Sequence, residues 1–220
     1  MELSATYLKE RLPTIADSQL REDILTHGVL RTFPAGETLL TDEQYIDYIP
    51  LITSGGAKVV RFTKDHRSLF LYFLRGGETC TMTLSSCLKR ETSRVRAKTV
   101  TKTEVILLPV ARVYYYTRHF PSWNEFALAS FQAKFDAILY AFEEMAFVPL
   151  PERVLHYLKE VAAIKGENYL GLSHGELAED LGVSRVGISR VLKSLEHNGK
   201  LDLGRKKITL REAQSYGPLR

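Results

Sequence analysis

The 220-residue sequence contains only two cysteines, Cys80 and Cys87, and no long apolar run. A disulfide scaffold needs more cysteine pairs, so a reducing cytoplasm is the expected compartment. No window approaches the roughly 20 continuous apolar residues of a membrane span. The first twenty residues mix charged and apolar side chains, so no signal peptide is expected. These absences favour a cytoplasmic protein that does not contact a membrane.

The net charge of the chain is also small. The chain has 30 Lys and Arg residues against 26 Asp and Glu residues, a formal net charge of +4. Such a small excess permits an anionic partner without requiring one, so its distribution along the chain decides. The apolar fraction of 45% is ordinary for a globular protein with one large domain or two modest ones.

The residue pattern in the central part of the chain differs from that at both ends. Residues 1–26 have loosely helical apolar spacing, whereas residues 28–118 carry short Val-, Ile-, Tyr-, Phe- and Thr-rich runs between glycine turns. Short strands separated by regular turn signals are typical of a β-sandwich or β-barrel. The run 95–108 has neither glycine nor proline and predicts central strands.

A helical pattern then extends over residues 121–148. Its apolar residues recur at steps of three and four, which is the a/d spacing of a coiled-coil seam. Two interpretations stay open: the seam pairs with a second copy of the chain, or it packs on the β domain. Pro149 and Pro151 break this helix and predict a hinge. The residues of the predicted dimer seam are Leu128, Phe131, Phe135, Ile138, Phe142 and Met145.

The strongest pattern in the sequence is a pair of short capped helices near the C-terminus. Ser173 is a good N-cap residue, and Glu176 three positions later completes a capping box. Gly182 ends the first helix because glycine accepts a left-handed conformation, and Ser184 caps the second. This spacing predicts a helix-turn-helix.

Basic residues are concentrated around the second helix and a following β-hairpin. Residues 185–211 include eight Lys or Arg residues and only two acidic ones. An exposed arginine near the start of such a helix can contact base edges, and a basic hairpin can contact phosphates. The alternative is a merely solvated basic face, which does not explain the capping pattern. The predicted DNA-binding residues are Ser173, Ser184, Arg185, Val186, Ser189, Arg190, Lys193, Arg205, Lys206 and Lys207.

These features resemble the Crp/Fnr family of transcription regulators over nearly the whole chain. Ser184, Arg185 and Arg190 match the start of the family's recognition helix, whereas Val186 stands where many members carry glutamate, which leaves the DNA sequence open. Residues 33–37 are similar to a turn of the family's jelly roll. The helix-turn-helix positions that fit are Leu177, Ala178, Leu181, Gly182, Val183, Ile188 and Val191.

The resemblance implies an α+β fold in three parts. Residues 1–120 would form an N-terminal helical segment and a β jelly-roll sensor domain, residues 121–148 a dimerisation helix, and residues 149–220 a winged helix-turn-helix. It also implies a transcription regulator rather than an enzyme. The implied partners are a near-palindromic site on double-stranded DNA, a second copy of the chain, and RNA polymerase.

The resemblance places the effector site in the polar stretch 76–86, expected as a loop. Relatives that bind cyclic nucleotides hold the phosphate with an arginine, but Glu91 stands near that position here and would repel a phosphate, so their usual effector is not expected. Arg94 is a possible substitute. The candidate effector residues are Gly77, Glu78, Thr79, Cys80, Thr81, Thr83, Ser85 and Arg94.

The cofactor is not identified by the sequence. No cysteine precedes Cys80, which excludes a four-cysteine iron–sulfur cluster held by one chain. Cys80 and Cys87 are interpreted either as a thiol switch or as small buried apolar residues, and the second interpretation is favoured. The expected signal is thus an unidentified small molecule or a redox change.

Two functions from other classes remain as alternatives. A winged helix can bind a protein partner instead of DNA, although the outward arginines argue against this. A β-barrel metalloenzyme would need clustered ligands, whereas His27, His66 and His119 are far apart in sequence and no metal site is predicted. A haem ligand among these histidines is not predicted either.

Overall fold

Two short helices, α1 (Ala5–Arg11) and α2 (Ser18–His27), precede the β strands in the computed structural model, which describes residues 3–63, 68–205 and 207–211. Both are capped by side chains of the residues before them, since Ser4 accepts from the Tyr7 amide and Asp17 from the Leu20 amide. Their apolar faces enter the core together with the strands that follow.

In the described part of the central region, seven strands form two sheets, as the short Val-, Ile-, Tyr-, Phe- and Thr-rich runs predict. One sheet has the order β1 (Val29–Phe33), β7 (Thr103–Pro109), β3 (Tyr48–Ser54). The other has the order β2 (Thr38–Leu40), β6 (Arg96–Thr99), β4 (Gly56–Phe62), β5 (Ser68–Arg75). The run 95–108 supplies β6 and β7, and both are internal strands of their sheets, so this prediction is confirmed.

Helices alternate with the last strands of this region and then follow them. Helix α3 (Thr81–Lys89) follows β5, and helix α4 (Val110–His119) follows β7. Helix α5 (Pro121–Phe147) comes next and matches the helix predicted over residues 121–148. It ends before Pro149, as expected of a residue that cannot continue the ladder of backbone hydrogen bonds.

The C-terminal region forms a winged helix-turn-helix. Helix α6 (Leu150–Lys165) leads through the short strand β8 (Tyr169–Leu170) to α7 (His174–Asp180) and α8 (Arg185–His197). The hairpin β9 (Leu201–Gly204) and β10 (Lys207–Leu210) then completes an antiparallel sheet in the order β8, β10, β9. The predicted α+β fold class is thus confirmed.

The chain divides into two units within α5. The first comprises residues 1–61 and 71–139, and the second comprises residues 62–70 and 140–220. The first unit has two clusters of buried apolar residues, and the partly buried residues packed against them include Phe131 for one and Ile138 for the other. No helix among the described residues is long and apolar enough to cross a membrane.

Candidate nucleic-acid interface

Helix α7 begins with the capping box that the sequence predicts. The Ser173 hydroxyl accepts a hydrogen bond from the Glu176 amide at 3.2 Å, and the Glu176 carboxylate accepts one from the Ser173 amide at 2.9 Å. Two backbone donors that the helix itself leaves without partners are thereby satisfied. The start of α7 is therefore fixed by local chemistry.

The turn between α7 and α8 uses glycine for a conformational reason. Gly182 has φ of +66°, in the left-handed region that side chains with a Cβ disfavour. The Val183 amide donates to the Ala178 carbonyl at 3.0 Å, which closes the turn. Ser184 then caps α8 by accepting from the Gly187 amide at 3.1 Å.

Apolar side chains hold α6, α7 and α8 in one core. Leu177, Ala178, Ile188 and Leu195 are buried. The other apolar positions that fit the helix-turn-helix motif are half-buried: Leu181, Val183 and Val191. Leu192, four positions after Ile188, is also fully buried.

Helix α8 presents a basic face outward. Arg185, Val186, Arg190 and Lys193 are exposed, and Val186 has an exposed fraction of 61%. An exposed valine at this point gives the face an apolar contact surface between two cations. Because the backbone of α8 is anchored by its buried side, these side chains are displayed from a rigid support.

The side chain of Ser189, predicted to contact DNA, has polar partners within the protein. It is half-buried, its hydroxyl donates to the Arg185 carbonyl at 2.9 Å, and it lies 2.9 Å from Nδ1 of His174. His174 is the first residue of α7 and was absent from the predicted interface. Ser173 and Ser184 likewise use their hydroxyls as helix caps.

The hairpin supplies further exposed cations. Arg205 and Lys207 are exposed at its turn, and the Lys207 ammonium lies 4.8 Å from the centre of the Tyr169 ring. Lys206, the third predicted residue of this turn, lies outside the described residues. Arg211 pairs with Asp202, one of the two acidic residues of the region, at 2.5 Å.

A buried polar pair joins α6 to α7. The Tyr157 hydroxyl donates to the Asp180 carboxylate at 2.5 Å, and both residues are only 5% exposed. Burial, strengthened by the negative charge of Asp180, raises the pKa of Tyr157 well above its usual range. The phenol therefore remains protonated and acts as the donor to a carboxylate that has little water around it.

Replacing Tyr157 with phenylalanine should lower the free energy of unfolding by about 1–3 kcal/mol, because a donor to a buried carboxylate is lost. Thermal unfolding of the full chain measures this. Tyr169→Phe is the matched control, since Tyr169 is exposed and should change stability by less than about 0.5 kcal/mol. Equal effects of the two substitutions would contradict the role of the buried pair.

The candidate effector stretch is not a loop throughout. Gly77 has φ of +90°, and α3 starts at Thr81 because Leu84 and Cys87 enter the core on one helical face. Thr79 donates from its hydroxyl to the Pro50 carbonyl at 2.8 Å. Of the other candidate residues, Cys80, Thr81 and Thr83 are buried, Ser85 is half-buried, and Arg94 is exposed.

Two candidate effector residues have distinct surroundings. Arg94 pairs with Glu91 at 2.5 Å on the surface, so its charge is already matched by the acid expected to repel a phosphate. Glu78 accepts hydrogen bonds from the Arg75 amide at 2.8 Å and from the Lys134 ammonium at 2.5 Å. Among the described residues, the Thr83 hydroxyl is buried without a hydrogen-bond partner.

Lys134 was missed because a lysine in a helix is usually solvated. A usable signal existed, since Lys134 lies three residues after Phe131 and four before Ile138, on the face that both half-buried residues share.

Both cysteines are buried, with exposed fractions of 0% for Cys80 and 3% for Cys87. Burial raises the pKa of Cys87 to about 11, which is opposite to the shift of an activated thiol. The Cys80 sulfur lies 3.8 Å from the Tyr72 hydroxyl. These surroundings support the interpretation of both residues as small apolar side chains.

We expect neither cysteine to react with a thiol-specific alkylating agent at neutral pH while the chain is folded, because the thiolate is the reactive form and both sulfurs are shielded. Mass spectrometry after timed labelling measures this, and the same chain in denaturant should label at both positions. Rapid labelling of either cysteine in the folded protein would contradict the burial argument and favour a redox signal.

The predicted dimer seam divides into two groups. Phe131 and Ile138 are half-buried against the first unit, whereas Leu128, Phe135, Phe142 and Met145 are exposed. Leu139 is also exposed and continues the stripe. We call the five exposed residues the α5 stripe: Leu128, Phe135, Leu139, Phe142 and Met145.

The histidines considered as metal or haem ligands have backbone partners. His27 donates to the Asp23 carbonyl at 3.0 Å and His119 to the Tyr115 carbonyl at 2.9 Å, while His66 lies outside the described residues. Within the described part of the chain, no group of three His, Cys, Asp or Glu side chains has the arrangement of a metal site.

Comparison with known proteins agrees with this geometry. Residues 152–215 match the family of Crp-like helix-turn-helix domains. A structure described as a Crp/Fnr-family transcriptional regulator, from Eubacterium rectale, is 21% identical with a TM-score of 0.77, covering 95% of this chain and 96% of that one.

Two further structures are similar. The c-di-GMP-responsive global regulator CLP of Xanthomonas campestris is 20% identical with a TM-score of 0.74, over 90% of this chain and 100% of that one. A Crp/Fnr-family regulator of Thermus thermophilus is 19% identical with a TM-score of 0.70, over 84% and 94%. Comparison of the sequence with curated proteins gives no significant match.

Proposed function

We propose that this chain, whose residues 152–215 match the Crp-like helix-turn-helix family and whose fold is similar to that of Crp/Fnr regulators, binds a specific DNA sequence as a homodimer and regulates transcription in the cytoplasm. The observation that carries the proposal is the exposed basic face of α8, supported by two side-chain caps and an apolar core. The chain acts by binding, not by catalysis.

Within this proposal, α8 is the recognition helix. Arg185 contacts base edges from the first turn of the helix, where bidentate pairing with guanine is the favoured geometry. Val186 contacts a thymine methyl group, in place of the cytosine contact that a glutamate would make. Arg205 and Lys207 contact phosphates and set orientation.

A homodimer places two such helices about one turn of DNA, roughly 34 Å, apart, which requires a near-palindromic site. The α5 stripe is the proposed dimer contact, because large apolar side chains in one exposed row are typical of interaction surfaces. The two interpretations of the predicted seam thus apply to different residues. Phe131 and Ile138 pack on the chain's own first unit, whereas the α5 stripe is proposed to contact a second copy of the chain.

The proposed signal is a small molecule or a redox change sensed in the first unit. A phosphate-binding arginine in the manner of the cyclic-nucleotide receptors is not supported by Arg94, which pairs with Glu91. A signal can change DNA affinity only if it favours one arrangement of the recognition domains, and the break at Pro149 between α5 and α6 is the proposed hinge. RNA polymerase is the further partner proposed for the promoter-bound dimer.

The proposal is tested by selection of a random DNA duplex pool with the purified full chain at near-physiological salt. Enrichment of a two-fold symmetric site, with half-sites about 10 base pairs apart, would support both the recognition helix and the dimer. Salt-sensitive binding without enrichment would contradict sequence-specific regulation by the free protein. A charge reversal, Arg185→Glu, that leaves affinity for DNA intact would instead favour a protein partner for the winged helix.

A further inference from the structure

A buried cation lies in the middle of the long helix. Of the charged side chains that the structure describes, Lys134 and Asp180 alone are buried, and Lys134 has an exposed fraction of 6%. Removing an ammonium group from water costs several kcal/mol unless partners replace the lost hydration. The partners of Lys134 therefore determine where α5 can lie on the first unit.

Those partners come from strand β5 and the turn after it. The Lys134 ammonium donates to the Glu78 carboxylate at 2.5 Å and to the Phe73 carbonyl at 3.2 Å. It also lies 5.5 Å from the centre of the Tyr72 ring, within cation–π range. Three independent groups of one strand and turn thus surround a single side chain of α5.

The Glu78 carboxylate is itself held in place. It accepts from the Arg75 amide at 2.8 Å, and the Glu78 carbonyl accepts from the Ile52 amide at 2.9 Å. The Gly77 amide donates to the Ile52 carbonyl at 2.8 Å, so the turn is bound to β3 on both sides. Lys134 therefore meets a fixed anion rather than a flexible surface side chain.

The pair also constrains which face of α5 is exposed. Phe135 follows Lys134 directly and is 61% exposed, so a rotation of the helix that withdraws the stripe from solvent also withdraws Lys134 from Glu78. Because an unpaired buried ammonium is costly, such rotations are disfavoured.

We propose that the Lys134–Glu78 ion pair fixes the rotation of α5 on the sensor unit and thereby presents the α5 stripe for dimerisation without a ligand at the 75–78 turn. Lys134 is in this sense a positioning residue for the dimer. The inference rests on the proposed function, since it takes the stripe to be the dimer contact. It adds that the carboxylate of Glu78, a candidate effector residue, already has a cationic partner within the chain, the Lys134 ammonium.

The test compares Lys134→Met, Glu78→Gln and their double variant by sedimentation velocity and by binding to the selected DNA. Methionine keeps much of the apolar length of lysine without its charge. Each single variant should raise the dimer dissociation constant about tenfold or more, and the double variant should be no worse than Lys134→Met, because contacting residues are not additive. Arg96→Met and Asp42→Asn remove another, partly exposed ion pair of the same unit and serve as controls.

The outcomes separate the two hypotheses. Folded variants that dimerise as the unchanged chain does would overturn the positioning role, and so would strictly additive effects. If a single variant unfolds, the dimer dissociation constant is measured instead for the apolar double variant Glu78→Leu with Lys134→Met. The temperature is kept below the unfolding transition of that variant. An unchanged chain that dimerises but selects no DNA refutes the proposed function alone, whereas a monomeric unchanged chain refutes both.

Discussion

Replacing Arg185 with alanine is expected to raise the dissociation constant for the selected DNA site about thirtyfold or more. A bidentate arginine–guanine contact provides about 1–3 kcal/mol of discrimination, and a dimer makes it in two half-sites. Binding to unrelated DNA should weaken far less, because phosphates contribute most of that affinity. Fluorescence anisotropy with both duplexes over a range of salt concentrations measures the two effects separately.

Two further variants show whether the effect of Arg185→Ala is specific to base contacts. Arg31→Ala removes an exposed arginine from the other unit and should leave both affinities unchanged. Lys207→Ala removes an exposed cation of the hairpin and should weaken binding to both duplexes by a similar factor. If Arg185→Ala behaved like Lys207→Ala, then Arg185 would contact phosphate rather than bases.

The second large effect is expected for Phe135→Glu. The Phe135 side chain is 61% exposed in the single chain, so glutamate there should leave the folded monomer stable. In a dimer each buried phenylalanine contributes about 1.5–3 kcal/mol, and an unpaired carboxylate would add a desolvation cost. The dimer dissociation constant should therefore rise about a hundredfold or more, as sedimentation equilibrium can measure.

Loss of the dimer should also lower DNA affinity, because a monomer contacts a single half-site. Phe147→Glu is the matched control, since Phe147 is even more exposed but lies at the end of α5 and outside the stripe. A dimer that tolerates Phe135→Glu, or one that is equally weakened by Phe147→Glu, would show that the stripe is not the contact.

The helix-turn-helix could be predicted almost residue by residue, because its determinants are local. Ser173 and Ser184 cap the two helices, and Gly182 takes the left-handed position between them, as predicted. Capping and left-handed turns depend on residues within four positions, so the sequence contains the whole of the interaction. Exposure of Arg185 and Arg190 followed from the same helical spacing.

Prediction was weaker wherever the outcome depends on a distant partner. The polar composition of residues 76–86 suggested a loop, but Leu84 and Cys87 have a core to enter, and burial outweighs local composition in α3. The a/d spacing in α5 identified the apolar positions without showing which surface covers each. Phe131 and Ile138 pack on the chain's own first unit, and Phe135 and Phe142 do not.

The sequence by itself determined the β-rich central region, the long helix over residues 121–148, the capped helix-turn-helix and the cluster of basic residues after it, since each follows from a pattern of residues close along the chain. The tertiary structure decided that Lys134 is buried beside Glu78, 56 residues away in sequence, and that Tyr157 donates to Asp180. An ion pair or a buried hydrogen bond forms only when folding brings distant groups together and removes their water. Helical spacing places Lys134 on the same face as Phe131 and Ile138, but it does not identify Glu78 as the partner.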